Sequence, residues 1–398
     1  MDGETLRAWW WHRQGLDGSM IGASPGEVLS RSGWARSVGG AGPYLTLYAR
    51  AGTSRAEADR AVAALEIHEL PAARGCTYVL PSPDFALGLT VGEAFGNSDM
   101  QQALKLGVTE GEVEALCAAV RTALAKGPLA PDAIRDATGS ASRSLGSDGK
   151  KKGLTTTLPL ALGRLQGLGA IRRVPANGRL DQQRYAYALW MPNPRAADAR
   201  DAASGYTELA RRFFRWVGPA TLGEWQWFSG LGVKAAKVAA APLGLEPAVP
   251  ASDRWLLPDD AKRLRTFKAP AKPQYALVSS LDSIAATRRD FWSLTDASDL
   301  AREAVADTKT VALGRLSDLP SHAILDRGRL IGLWEFDPEA QQIVWATFGA
   351  TADKALRDAI ARTEAFVRDE LGDMRSFSLD SPSSRAPRIT ALRAMRRQ

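Results

Sequence analysis

The stretch from Val108 to Leu189 constrains this chain more than any other part of it. Thr109 followed by Glu112 has the form of a capping box, and Val113, Leu116, Cys117, Val120 and Leu124 recur behind it at helical spacing. Gly127-Pro128 ends that helix. A second helix is predicted from Pro131 to about Thr138, stopped by Gly139. A third is predicted from near Thr155, with Pro159 in its first turn and Leu158, Leu162, Leu165 and Leu168 along one face. Ile171 to Val174, an Asn177-Gly178 turn and the alternation of Tyr185, Tyr187 and Leu189 then give two strands. Three helices followed by a two-stranded ribbon read as a winged helix.

The same grammar recurs on both sides without obvious sequence identity. Upstream, Ser24-Pro25-Gly26-Glu27 and Ser54-Arg55-Ala56-Glu57 have the form of helix starts, with Leu65–Leu70 and Thr77–Leu80 as the ribbon. Downstream, Tyr206–Trp216 reads as a helix ended by Gly218-Pro219. Thr221–Phe228 and Val233–Ala241 supply two more helices, and Trp255–Leu257 a returning strand. Met191–Ala203 and Lys268–Pro273 read as linkers. The last quarter differs. It shows hairpins turning at Asp326–Arg329 and Asp337–Glu339, then an amphipathic helix with Leu356, Ile360, Val367 and Leu371 on one side. A basic tail follows, holding Arg385, Arg388, Arg393, Arg396 and Arg397. The expected fold is α+β and mainly helical. Three tandem winged-helix domains (residues 1–106, 107–195 and 196–270) precede a small β-barrel-like C-terminal domain with a closing helix (271–398).

Composition narrows the function classes. The 398 residues include 51 Lys and Arg against 44 Asp and Glu, a net charge of +7 that permits nucleic-acid binding without establishing it. No apolar run approaches the roughly 18 residues of a membrane span, and the first residues lack a secretory signal pattern. Two cysteines make no disulfide framework, and His12, His68 and His322 lack metal-ligand spacing. A cytoplasmic, nucleoid-associated monomer that needs no metal or cofactor is expected.

Several motifs bear on chemistry. The basic loop Gly146–Gly153 carries Lys150, Lys151 and Lys152 just before the third helix of the central unit, where Thr155 and the lysines could reach phosphates. The wing adds Arg172, Arg173, Arg179 and Arg184. Against this stands a solvated lysine loop with no partner. Gly149-Lys150 is not a Walker A motif, because Lys151 stands where Ser or Thr is needed. Gly230-Leu231-Gly232 lacks the strand and third glycine of a dinucleotide fingerprint. Gly22-Ala23-Ser24-Pro25-Gly26 has the spacing of a nucleophile elbow, but Pro25 has no N–H for an oxyanion hole, so Ser24 reads as a helix cap. Asp282 and Asp290 read as caps or solvated surface. Trp9, Trp10 and Trp11 read as interdomain packing with one indole partly exposed, or else as a base-stacking platform. The Trp34–Tyr44 loop joins an aromatic, a cation and a hydroxyl to a glycine-rich turn. Such a turn could bring backbone close to a ligand, or simply join two helices.

These residues together carry a resemblance. The chain resembles the bacterial winged-helix DNA-binding family that includes the AlkZ and YcaQ DNA glycosylases. Pro43-Tyr44-Leu45-Thr46-Leu47-Tyr48-Ala49-Arg50 looks like the helix after that family's catalytic loop. Arg74-Gly75-Cys76-Thr77-Tyr78 is similar to its Arg-Gly-Thr-Leu-His strand, and Arg212–Thr221 to the signature of its third winged helix. The family's Gln-x-Gln or Gln-x-Asp motif, which positions the hydrolytic water, falls here on Arg36 and Val38, and Tyr78 replaces the family's histidine. Valine cannot orient a water and a protonated arginine is no general base.

The resemblance implies a partner, double-stranded DNA that is alkylated, crosslinked or otherwise distorted. The first reading is a DNA-binding protein of this glycosylase-like family; if it is an enzyme, it is a metal-independent glycosylase that excises alkylated bases. The alternatives are a non-catalytic tandem winged-helix DNA-binding or regulatory protein, and a protein-interaction scaffold. Any catalysis would centre on Arg36 and Ser37, with Trp34, Arg74 and Tyr78 as the base pocket. Lys150, Lys151, Lys152, Thr155, Arg172, Arg173, Arg179, Arg184, Lys234 and Lys237 would bind DNA. Arg327 or Arg329 would enter the minor groove from a hairpin tip.

Overall fold

A computed structural model describes residues 2–93, 97–182, 184–196, 198, 200–288, 290–306, 309–349, 351–377 and 379–395; Arg396 and Arg397 lie outside the described residues. Among these, one topological order occurs three times. The first unit runs helix Pro25–Ser32, strand Ala35–Arg36, helices Gly42–Ala51 and Arg55–Ala63, then strands Ile67–Pro71 and Thr77–Pro81. The short first strand pairs with the last, which sits at the centre of the three. In the second unit helix Glu110–Leu124 leads to Leu129, which bridges to Tyr187. Helices Pro131–Thr138 and Leu158–Gly167 and strands Ile171–Pro175 and Tyr185–Leu189 follow. The third unit has helix Ala202–Val217, strand Ala220–Thr221, helices Leu222–Ser229 and Val233–Ala240, and strands Glu246–Pro247 and Arg254–Leu256, again with the last strand central.

The local signals act as their chemistry requires, with two corrections. Ser24, Ser54, Thr109 and Thr221 each accept a backbone N–H at a helix start. Glu112, however, does not close a box on Thr109; its carboxylate takes the Arg143 guanidinium at 2.5 Å. The third helix of the central unit starts at Leu158 rather than Thr155, because the basic loop folds as its own short helix, Gly146–Lys151. Gly149 seats that turn: a Cβ there would lie 2.3 Å from both the Leu145 Cβ and the Leu154 carbonyl.

The C-terminal region forms no closed barrel. Among the described residues four of its strands, in the order Gln342–Thr347, Arg329–Asp337, His322–Asp326 and Tyr275–Val278, make an open antiparallel sheet, and Glu303–Ala306 and Lys309–Ala312 make a separate two-stranded one. The outer strands are covered rather than joined. Helix Lys354–Phe366 packs on Tyr275–Val278, and helix Pro382–Met395 packs on Arg329–Asp337 and Gln342–Thr347. The expected basic tail is thereby part of the fold. Arg385 is fully buried against Asp373 at 2.8 Å, Arg388 pairs with Glu335 at 2.7 Å, and Arg393 bonds Asp337.

The cores cross the unit boundaries. Trp34 and Tyr78 of the first unit share one cluster with Phe213, Trp216 and Phe228 of the third. Val28, Leu45 and Val79 share another with Trp334, Phe336 and Ile360 of the C-terminal region. Trp9, Trp10 and Trp11 on helix Gly3–Arg13 are all buried, which removes the stacking platform. Successive residues step about 100° round a helix, so a helix carrying three buried indoles in a row is enclosed on most sides. Trp9 donates to the Gly218 carbonyl at 2.9 Å and Trp11 to Gln274 Oε1 at 3.0 Å, while the Arg288 guanidinium lies 3.8 Å from the Trp10 ring centre.

Candidate functional site

Strand Ala35–Arg36 sits where the sequence put its candidate catalytic loop. Helix Pro25–Ser32 ends at Gly33, whose φ of 104° only glycine adopts freely and where a Cβ would lie 3.3 Å from the Trp216 ring. The chain then runs through Trp34 into the strand. Trp34 is 3% exposed, donates to Asp84 Oδ2 at 2.8 Å and lies among Tyr78, Trp216 and Phe228. It offers no face to a base, so its assignment to a base pocket is corrected. Burial raises the Asp84 carboxyl, opposed by the Arg212 guanidinium 2.8 Å away.

Arg36 stands directly opposite Tyr78 in the strand register, so the two side chains share one face. The Arg36 guanidinium lies 5.3 Å from the Tyr78 ring centre, and its Nη1 is buried without a hydrogen-bond partner. Arg74 comes from the turn between the two long strands, in a left-handed conformation with φ of 56°, and stacks 3.9 Å from the ring centre of Trp227 in the third unit. Burial lowers the Arg36 pKa, Tyr78 opposing and the positive charge of Arg74 adding to the effect. Burial raises Tyr78, which is counteracted by the same two arginines. Arg36, Arg74 and Tyr78 are therefore brought together, with Trp227 as a member that sequence reasoning missed.

Ser37 continues the ladder through its N–H to the Thr77 carbonyl, 3.0 Å, and projects from the other face. Its hydroxyl donates to Glu69 Oε1. Ser37 is 1% and Glu69 5% exposed, and Glu69 Oε2 is buried with no hydrogen-bond partner. Tyr185, from the ribbon of the second unit, faces this carboxylate; burial first and Glu69 second push the phenol pKa up. Arg173 lies 5.1 Å over the Tyr185 ring and donates to Gln166 at 3.0 Å. Glu69 is the carboxylate nearest the loop's hydroxyl, and sequence reasoning overlooked it. The signal was no more than an acid within the predicted strand Leu65–Leu70, which also holds Glu66 and His68.

The glycine-rich turn approaches the chain's own backbone rather than a ligand. A Cβ on Gly40 would lie 2.2 Å from the Arg375 carbonyl and 2.7 Å from that of Ser376, and Ala41 donates to the same Arg375 oxygen at 3.1 Å. Beside it lies a cavity of about 210 Å³ lined by Arg179, Asp181, Gln182, Asp373 and Arg375.

The residues expected to bind DNA sort into free and committed. Lys150, Lys152, Thr155, Arg184, Lys234 and Lys237 are exposed; Lys151 is exposed beside Asp148 at 3.3 Å, a pairing worth little in water. Arg172 is half-buried at the ribbon. Arg179 is committed, bonding Asp181 and the Leu371 carbonyl. The hairpin tip is closed as well. Arg327 binds Asp326 at 3.0 Å and the Pro270 carbonyl at 3.0 Å, Arg329 binds Asp296 at 2.8 Å, and Gly328 packs on the Arg7 carbonyl. A tip seated on the N-terminal helix is no minor-groove wedge, which corrects that expectation. Helix Val233–Ala240 shows the opposite arrangement, with Val233, Lys234, Lys237 and Val238 all turned to solvent. Among the described residues no cluster of His, Cys, Asp and Glu could hold a metal, and no helix is long and apolar enough to cross a membrane.

A family model described as DNA glycosylase AlkZ-like matches residues 37–374. Among solved structures, the Streptomyces sahachiroi DNA glycosylase AlkZ is similar, with a TM-score of 0.68 and 18% sequence identity over 94% of this chain and 98% of that one. At that identity the likeness speaks for the fold. No curated protein matches the chain.

Proposed function

This chain belongs to the AlkZ-like DNA glycosylase family, and from that premise we propose that it binds damaged duplex DNA through three winged helices. The units span residues 1–106, 107–195 and 196–270, with residues 271–398 as the closing domain. The observation that carries this reading is helix Val233–Ala240, the third helix of its unit, which holds two lysines and two valines outward. In winged helices that element enters the major groove, where lysines reach phosphate or guanine and apolar groups meet the thymine methyl. Lys150, Lys152 and Arg184 extend the positive surface over the second unit.

Excision of an alkylated base is a second reading, and the buried free oxygen of Glu69 favours it. Water would add to C1′ as the glycosidic bond breaks. The bond's electron pair would neutralise the cationic N7-alkylpurine as it leaves, and the proton lost by water would pass to Glu69, leaving an abasic sugar. The burial of Ser37 and Glu69 beneath Tyr185 weighs toward binding as the primary role. Anisotropy with a labelled duplex containing N7-methylguanine, followed by an assay for abasic sites, tests both. Binding that weakens steeply with salt supports the first reading, and absence of duplex binding overturns it. Release no faster than the spontaneous rate by a protein that binds removes the second.

A further inference from the structure

Arg36 and Arg74 form a pair of like charges without a counter-carboxylate. Each guanidinium lies against an aromatic ring, Tyr78 for Arg36 and Trp227 for Arg74. Arg74 Nη2 lies 3.7 Å from Cys76 Sγ, and Cys76 precedes Tyr78 by two residues in extended backbone, so both guanidiniums lie along the face that carries Cys76 and Tyr78; each also lowers the pKa of Tyr78. Among the described residues neither makes an ion pair with Asp or Glu, whereas Arg212 and Arg254 of the third unit are paired at 2.8 and 2.7 Å. Arg36 Nη1 is buried with no acceptor, and the nearest partner of Arg74 Nη2 is the weakly accepting Cys76 Sγ at 3.7 Å. The site stays accessible: Arg36, Arg74, Cys76 and Trp227 are half-buried and Gly75 is exposed.

Two adjacent guanidiniums, half desolvated and lacking an anion, are unfavourable in isolation. Arg74 is held in place by a left-handed backbone, φ 56°, that non-glycine residues rarely adopt. The electrostatic cost is offset when an anion with two or more acceptor oxygens takes the orphaned N–H groups in forked geometry. We infer that Arg36 and Arg74, braced on Tyr78 and Trp227, clamp one backbone phosphodiester of the bound DNA. The position that matches the family's water-positioning motif is thereby turned into a phosphate grip. Trp227 belongs to the third unit and Arg36 to the first, so the grip also ties DNA binding to the junction of the two.

This inference rests on the DNA-binding reading, and its test keeps the two apart. Wild-type protein is treated with phenylglyoxal, which modifies arginine, with and without saturating duplex, and the adducts are mapped by peptide mass. Arg36 and Arg74 are expected to be protected by the duplex, while exposed Arg60 and Arg121 serve as controls. Equal labelling at both sites in a protein that binds the duplex overturns the clamp and leaves the DNA-binding reading standing. Failure to bind the duplex at all overturns both. In parallel, the double variant Arg36→Gln/Arg74→Gln should reduce the slope of log affinity against log salt by about 0.9, the loss of one phosphate contact. Arg36→Lys/Arg74→Lys should keep the slope while weakening affinity, because a point charge replaces the fork. A slope unchanged in the glutamine variant, with its thermal transition intact, overturns the clamp.

Discussion

Arg50 and Asp282 meet as a bidentate pair, Nη1 to Oδ2 at 2.8 Å and Nη2 to Oδ1 at 2.7 Å, with both side chains wholly excluded from solvent. The guanidinium also takes Gln14 Oε1 at 2.9 Å and Ser283 Oγ at 3.2 Å. Asp282, which by sequence is a cap or a solvated surface residue, does cap helix Ser283–Ala286, and it is also the anchor that joins the helix after the candidate loop to the C-terminal region.

Breaking this pair from one side leaves a charge buried without its partner. Asp282→Ala is expected to destabilise the fold by about 3–5 kcal/mol, and Arg50→Met/Asp282→Leu by clearly less, since the double change strands no ion. Equilibrium urea unfolding measures both; equal losses would remove the pair from its anchoring role.

Ser37 supplies a hydrogen bond to Glu69 inside the protein. Ser37→Ala should cost about 1–3 kcal/mol through the unsatisfied carboxylate, and adding Glu69→Leu should recover part of that loss. Because Ser37 is 1% exposed, affinity for duplex DNA should stay the same. A Ser37→Ala protein of unchanged stability but weakened DNA binding would contradict this assignment.

Lys234 and Lys237 stand free on an exposed helix face, so their replacement by Ala should leave stability within about 0.5 kcal/mol. Each should lower the salt slope of DNA binding by about 0.9 if it holds a phosphate. Arg327→Ala serves as the contrast, since its guanidinium is already bound to Asp326 and the Pro270 carbonyl. A larger loss of slope for Arg327→Ala than for the lysines would reverse the proposed binding face.

Burial holds His68 down to about 3 and His322 to about 4, against an ordinary value of 6.5. The folded state therefore binds fewer protons than the unfolded state between those values. The contribution of each neutral ring to stability is complete above pH 6.5. It is lost progressively as pH falls from 6.5 toward 4 for His322 and toward 3 for His68. Nδ1 of His322 accepts from the Ser280 N–H at 3.1 Å, which fits the neutral ring. Unfolding free energy measured between pH 7.5 and 5 should drop for the wild type, and the drop should be smaller in His322→Gln. Parallel profiles would show that His322 does not titrate on unfolding.

Much of the architecture was legible because it rests on local chemistry. Helix caps are hydrogen bonds across three residues, and the limits of helix Pro131–Thr138 and strand Tyr185–Leu189 follow from breakers and alternation within reach of one another. The resemblance to a family likewise rested on short runs such as Pro43–Arg50. The fate of each charge was not legible in this way. Arg327 and Arg329 read as a free hairpin tip until packing set them against the Pro270 carbonyl and Asp296. The terminal arginines read as a tail until Arg385 met Asp373.

The sequence alone determined most helices and strands of the three units and their order, because those choices are decided by neighbours a few residues away; it read Gly146–Gly153 as a loop and the terminal arginines as a tail, and both are helical. Only the tertiary structure decided which cations remain available for a partner, which carboxylate reaches Ser37, and that among the described residues neither Arg36 nor Arg74 pairs with an acid. A charge finds its partner wherever packing brings one, and in this chain that partner can lie more than two hundred residues away, as Asp282 does from Arg50.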